Sequence, residues 1–333
     1  CIFAIFLSGK MEGSKRFLNP KLLFLVVCCA ASLVAAELTD RYPLFKHSAK
    51  DAQRIRKMVD DINSANLPWK AEYNAYAPLE PQIKRDEPHP ESLKLKKPDF
   101  VASISQQMVR DTEDHLTTLA KSNISLPESF DARDQWPCCS SINQILNQGG
   151  CGSCWAAATV SVLSDRLCIS SDSKLQQMIS LQDLVSCCEY CGACTGGHPG
   201  RALFHWKNNG IVTGGSYGSS EGCRPYEVPA TCGAPCPAYF HSPNYNQQCN
   251  KTCNNLYRNN YESDLRKGRS FYWIQTKDLI KRDIMTNGPV IFCIHVSEPL
   301  AHYKSEVLNY GHCMRMIGWG KENGEEFWTI ANS

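Results

Sequence analysis

The chain has 333 residues, with 35 basic and 33 acidic side chains and 19 cysteines. A formal charge of +2 gives no sign of a nucleic-acid partner. The cysteine density argues against an ordinary cytosolic enzyme and for an oxidising compartment with a disulfide framework.

In chain order, residues 1–10 precede the first methionine and read as an upstream artefact. From Met11, the basic residues Lys15, Arg16 and Lys21 lead into an apolar run from Leu22 to Val34. A small-residue cleavage site follows at Val34-Ala35-Ala36. That order predicts a secretory signal peptide over 11–36, too short for a confident membrane span. No later run suggests a membrane anchor, so the mature protein is expected to be soluble and secreted, extracellular or lysosomal.

The next stretch has a different character. No cysteine lies between residues 30 and 137. Helical periodicity occurs over Ala49 to Ile62 and Ile104 to Leu119, and the proline- and charge-rich stretch from Pro78 to Pro98 reads as linker.

The most informative segment is Gln148-Gly149-Gly150-Cys151-Gly152-Ser153-Cys154-Trp155. A thiol is a nucleophile only as thiolate, and a helix N-terminus favours that anion through its unpaired N–H groups and partial positive charge. A helix from Ser153 to about Cys168 would supply this. Ala156, Val160, Leu163 and Leu167 fall on one face, and Ser161, Ser164 and Asp165 fall on the other. Ser153 is a candidate N-cap, and Gly149, Gly150 and Gly152 allow a tight turn before it. A buried or disulfide-bonded Cys154 is the plain alternative. Zinc is the rival for Cys151-x2-Cys154 and for Cys188-x2-Cys191-x2-Cys194. Export and the glycine-rich context favour the nucleophile.

Strands are expected at 271–275, 290–296 and 326–331, where valine, isoleucine and aromatic residues cluster. Glycosylation sequons occur at Asn123-Ile124-Ser125 and Asn250-Lys251-Thr252.

The Cys-Gly-Ser-Cys-Trp run at 151–155 matches the local signature of papain and cathepsin enzymes. The chain resembles that cysteine peptidase family and, through further segments, its cathepsin B-like branch. Gly311-His312-Cys313 through Gly318-Trp319-Gly320 resembles the stretch around the family's catalytic histidine. Ile330-Ala331-Asn332-Ser333 resembles the start of its Asn segment. The span from Leu126 to Pro137 resembles the branch's mature N-terminus. Ile179-Ser180-Leu181-Gln182-Asp183-Leu184, Cys194-Thr195-Gly196-Gly197, Gly222-Cys223-Arg224-Pro225-Tyr226 and Asn287-Gly288-Pro289-Val290 extend the likeness.

The resemblance implies an α+β, papain-like, two-domain fold. A helical domain carries Cys154, an antiparallel β domain carries His312 and Asn332, and the cleft runs between them. It implies Cys154 as nucleophile, His312 as its base, Asn332 as the orienting residue and Gln148 as an oxyanion donor. Gly196, Gly197, Pro199, Cys293 and Cys313 fall on substrate-binding positions. The implied disulfides are Cys139–Cys168, Cys151–Cys194, Cys187–Cys249, Cys188–Cys191, Cys223–Cys253 and Cys232–Cys236. Cys293 and Cys313 replace small residues of the pocket for the residue before the cut. They can be read as two small apolar linings or as a further disulfide.

The segment Asn66-Leu67-Pro68-Trp69-Lys70 resembles part of cathepsin B-type propeptides, so 37–125 is expected to be an inhibitory propeptide and 126–333 the peptidase domain. The family continues beyond the position of Ser333, so a truncated C-terminus is expected. The branch's occluding loop carries a His-His pair that favours dipeptide removal. Here Cys232-Gly233-Ala234-Pro235-Cys236 holds no histidine and His241 stands alone. Endopeptidase activity is therefore expected, with weak or no dipeptidyl carboxypeptidase activity. Tyr310 and Thr195 replace a glycine and an asparagine of the family pattern. They motivate the alternative of a catalytically silent homologue that binds peptides or inhibitors. The run Phe327 to Ser333 resembles gut peptidases of blood-feeding helminths. The resemblance implies protein or peptide substrates, the chain's own propeptide and cystatin-type inhibitors as partners, and no metal or organic cofactor.

Overall fold

The computed structural model describes residues 49–64, 98–122, 124–229, 248–296 and 310–333, and among these two helices precede the first strand. Helix α1 spans Ala49–Ser64 and α2 spans Pro98–Ala120. The helical region that follows contains α3 (Ala132–Gln135), a 3-10 turn at Ser140–Asn143, α4 (Cys154–Ser170), α5 (Leu181–Cys187), α6 (Pro199–Asn208) and α7 (Tyr261–Asp264). Short antiparallel pairs join β2 (Met178–Ile179) to β5 (Thr213–Gly214) and β3 (Gly192–Ala193) to β4 (Gly196–Gly197). Helix α8 (Lys277–Asn287) starts at Thr276, whose side chain accepts from the Leu279 N–H, and stops at Gly288, where φ is +99°.

The main sheet is antiparallel. Strand β7 (Tyr310–Glu322) forms its spine. One edge of β7 takes β6 (Val290–Val296) and then β1 (Phe130–Asp131), while the other edge takes β8 (Glu325–Ala331). A bulge between Met316 and Gly318 resets the β7–β8 register. The molecule therefore joins a helical region to an antiparallel sheet, an α+β arrangement.

Each region has its own core. Helix α4 runs through the first, where Trp155, Ala156 and Val160 meet Leu184, Ala202, Trp206 and Val228. The second lies between α8 and the sheet, with Ile284, Met316 and Trp319 at its centre. A buried ion pair spans the two regions. Arg315 of β7 donates to Asp165 of α4 at 2.8 Å and to the carbonyls of Ser141, Ile142 and Gln144. Ser141 Oγ donates to the other Asp165 oxygen at 2.7 Å.

The polar residues that fall opposite the apolar face of α4, Ser161, Ser164 and Asp165, are all buried. Ser164 Oγ donates to Val160 O and accepts from the Ile179 N–H, so the polar side of the helix is spent on internal partners. The expected strand at 271–275 does not form. Its backbone donors are taken by side chains of α2, with Phe271 N–H donating to Asp111 and Trp273 N–H to Thr112, both at 3.0 Å. Aromatic content there serves packing against α2, not a ladder.

Helix α2 makes further contacts with the rest of the chain. Asp111 accepts from Lys207 Nζ at 2.8 Å. Phe100 packs edge-on against Tyr190 and Phe204. His115 stacks on Tyr272 at 3.6 Å and bonds Asp283 through Nε2 at 2.9 Å.

Candidate active site

Cys154 is the first residue of α4, so its sulfur sits where the helix N–H groups have no partner within the helix. Ser153 is the N-cap position, but its side chain does not cap the helix as expected. Its hydroxyl lies 3.2 Å from the Tyr226 hydroxyl instead. The approach to the helix is held from both sides. Cys151 is joined to Cys194, and the Gly152 N–H donates to Cys194 O at 2.7 Å. Gly149 has φ +58°, and a Cβ there would lie 2.5 Å from Pro229 O, so only glycine suits the turn.

The adjacent Trp155 is buried and donates its ring N–H to Ala193 O at 3.2 Å. A Cβ on Gly197 would come within 2.3 Å of the Trp155 ring. The Gly196–Gly197 strand and Pro199, which opens α6, are thereby packed beside the nucleophile's helix.

His312 is the third residue of β7, paired with Ile294 of β6. On the other edge Arg315 faces Ala331, and one further step of that register brings Asn332 beside Met314. Met314 and His312 share a strand face, so the Asn332 side chain reaches His312 diagonally. Asn332 Oδ1 lies 2.7 Å from His312 Nε2 and also accepts from the Ser333 N–H at 2.9 Å. An oxygen that already accepts from a backbone N–H takes a proton from the ring as well. This fixes Nε2 as protonated and leaves Nδ1 for the thiol.

The Cys154 thiol and the His312 ring are hydrogen-bonded, and each shifts the other. Burial pushes the thiol up, but the His312 bond and charge, with the Cys313 and Trp155 N–H groups, bring it below its ordinary value. Burial pushes the imidazole down, but the Cys154 bond and charge, with Asn332, raise it above its ordinary value. Opposite shifts of this kind favour a thiolate–imidazolium pair, which titrates as one unit.

Gln148 is buried on the near side of the nucleophile loop. Its amide nitrogen donates to Cys151 O at 3.0 Å, and its amide oxygen accepts from Ser333 Oγ at 2.8 Å. The Tyr226 hydroxyl donates to the Gln148 carbonyl at 2.8 Å. The amide orientation is thus set from two directions, and one of its two N–H bonds remains for a ligand. Ser333 and Tyr226 were not singled out by the sequence. The Asn-Ser order at 332–333 was visible, but the partner of the serine lies 185 positions away.

The structure pairs Cys139 with Cys168, Cys151 with Cys194, Cys187 with Cys249, Cys188 with Cys191, and Cys223 with Cys253. Zinc thereby loses its ligands, since the sulfurs of 151, 188, 191 and 194 are committed to disulfides. Cys293 and Cys313 are also joined, so the reading of two separate apolar linings gives way to a disulfide. Cys232, Cys236, His241 and Asn123 lie outside the described residues. Asn250 is exposed and accepts from Thr252 Oγ1 at 2.7 Å.

A thiol bonded to an imidazole, an amide that orients the imidazole and a further buried amide in the loop before the thiol are together equipment suited to acyl transfer. Comparison with known proteins gives the family. The model of the papain family cysteine protease matches residues 126–333. Cathepsin B-like cysteine proteinase 1 of Ostertagia ostertagi is 37% identical over 246 residues, 69% of this chain and 71% of the relative. Cathepsin B-like cysteine proteinase 3 of Caenorhabditis elegans is 36% identical over 83% of this chain and 73% of its own length. Among solved structures, procathepsin B S9 from Trypanosoma congolense aligns over 86% of this chain and 87% of its own, with 28% identity and a TM-score of 0.54. Procathepsin L 3 of the Tenebrio molitor larval midgut shares the fold at 17% identity, covering 85% of this chain and 79% of its own with a TM-score of 0.50. The chain belongs to the papain family of cysteine proteases, in its cathepsin B-like branch.

Proposed function

We propose that this protease is a secreted or lysosomal cysteine endopeptidase made as a zymogen. The thiolate of Cys154 attacks the substrate carbonyl. Gln148 and the Cys154 N–H hold the oxyanion, and a donor of this kind is worth about 10²–10³ in rate. His312 protonates the leaving amine and then, as base, activates the water that hydrolyses the thioester. Asn332 keeps the imidazole in the productive tautomer. The observation that carries this reading is the His312 ring held between Asn332 and Cys154, with thiol and imidazole shifted in opposite directions.

Residues 37–125 are the inhibitory propeptide in this reading, and α2 is its docked helix. The signal-like stretch at 11–36 and the disulfide framework support export. The cysteine pair at 232 and 236 encloses no histidine, which supports internal cleavage over dipeptide removal. Gly196, Gly197 and Pro199 hold the substrate, and cystatin-type proteins inhibit.

The test is to activate the full-length zymogen at acidic pH and titrate it with an epoxide inhibitor specific for active-site thiols. One adduct per molecule on Cys154, lost in Cys154→Ser, is the expected result. A folded, disulfide-bonded protein that takes no adduct overturns the reading and leaves the silent homologue. Substrates blocked at the C-terminus should be cut as well as those with a free carboxylate. A strong preference for the free carboxylate overturns the endopeptidase assignment.

A further inference from the structure

Cys313 follows His312 directly in β7 and faces Cys293 across the β6–β7 ladder. The two form a disulfide. Cys313 is 7% exposed and packs among the buried residues around α4, whereas Cys293 is exposed. The Cys313 backbone N–H donates to the Cys154 sulfur. One residue therefore carries a covalent tie in its side chain and a hydrogen bond to the nucleophile in its backbone, and its neighbour is the base.

The position of the tie within the ladder matters. Among the described residues, the pairs Ile294↔His312, His295↔Gly311 and Val296↔Tyr310 lie beyond it. His312 is thus one residue from the tie, and its ladder pair with Ile294 adjoins the disulfide-bonded pair. A covalent bond at that place restrains local opening of the ladder around His312.

We propose that the Cys293–Cys313 disulfide is a positioning element for the catalytic pair, holding the His312 ring and the Cys313 N–H on Cys154. The proposal rests on the peptidase reading above. Its consequence is chemical. Without the tie, the N–H and the imidazolium spend less time on the sulfur, so the thiolate is less favoured and the thiol protonates at higher pH. The exposed Cys293 side also leaves the bond open to a dithiol. The reductant's first thiolate displaces one cysteine sulfur, its second thiol closes on the mixed disulfide, and two protein thiols and one oxidised dithiol result. The reductant that keeps Cys154 reduced therefore also loosens its partner.

The test compares the matured wild-type protein with the Cys293→Ala/Cys313→Ala double variant. The readouts are the rate of Cys154 alkylation by iodoacetate against pH, and kcat and KM on a peptide. A misplaced catalytic group can cost up to about 10²-fold, so a looser one is expected to lower kcat about threefold to tenfold with KM nearly unchanged. The acid limb of alkylation should move up by about half a pH unit. An unchanged limb and kcat, with only a lower thermal midpoint, mark the bond as a staple and overturn the proposal. A wild-type protein without thiolate-like alkylation removes the peptidase reading and this inference together. If the double variant does not fold, wild type is titrated with a dithiol and the Cys293–Cys313 thiols are counted by mass spectrometry. Alkylation at low pH should then fall in step with the reduced fraction, and full reduction without that fall overturns the proposal.

Discussion

The helical region and the sheet position their candidate site residues by different means. Around α4 the backbone is irregular, and five of the described disulfides lie there, with Cys151–Cys194 bracing the nucleophile loop. The sheet places His312 and Asn332 by ladder register, with a single described disulfide one pair from His312. A loop has no hydrogen-bond ladder to define it, so covalent ties take that role. A sheet already has its ladder, and there the tie sits on the pair next to His312. The contrast teaches that the described crosslinks gather around the loops that flank Cys154, whereas the sheet relies on register.

The largest expected effect tests whether the two regions act as one catalytic unit. Cys154→Ala and His312→Ala should each lower hydrolysis by about 10⁴–10⁶. The double variant should be no worse than the poorer single one, as measured by kcat/KM. Additive losses would mean that the two residues work independently. The same variants sharpen the charge argument. With Cys154→Ala the main group that raises His312 is gone while burial still lowers it, so its NMR-detected pKa should drop. In the intact protein the pair protonates at the thiolate as pH falls through the lowered Cys154 value. It loses the imidazolium proton as pH rises through the raised His312 value.

Next in size is the ion pair between the regions. Asp165→Ala leaves Arg315 buried without its charge partner, which is expected to cost about 3–5 kcal/mol in urea unfolding. Asp165→Leu combined with Arg315→Met should recover much of that loss. A single-variant cost below about 1 kcal/mol would show that the carbonyls of Ser141, Ile142 and Gln144 suffice for the guanidinium.

A smaller effect isolates the packing of the helical region. Gly197→Ala drives a methyl into the Trp155 ring and should cost about 1–3 kcal/mol, with a shift in Trp fluorescence. The smallest concerns Ser333→Ala, which removes the donor on the Gln148 amide oxygen. A lost hydrogen bond of about 1 kcal/mol corresponds to roughly a fivefold fall in kcat with little change in KM. A rise in KM alone would place Ser333 in ground-state binding.

What could be read from the sequence was local. The glycines before Cys154, the apolar spacing along α4 and the run around His312 each carry their meaning within about ten residues, the reach of pattern arguments. Long-range partners came only through the family resemblance, as with Cys187–Cys249 and the grouping of Cys154, His312 and Asn332, and those outside it were illegible for the same reason. Asp165 could be placed on the polar face of the helix, but nothing nearby announces Arg315. The aromatic run at 271–275 read as a strand because aromatic residues also serve helix packing, and only the position of α2 separates the two. Cys293 and Cys313 could not be paired until the β6–β7 register placed them opposite each other. Ser333 stood beside a residue of interest, yet its role depends on a loop far away in the chain.

The docking of α2 has a consequence for how the chain can be followed in time. Asp111 and Thr112 of that helix accept the backbone N–H groups of Phe271 and Trp273. If α2 is released with the propeptide proposed above, these two amides lose their side-chain acceptors, and water takes their place. Their hydrogen exchange should therefore accelerate at the moment of release, far from the cleft and without any substrate present. Two amide signals in this segment would act as a clock for maturation that runs whether or not Cys154 is intact.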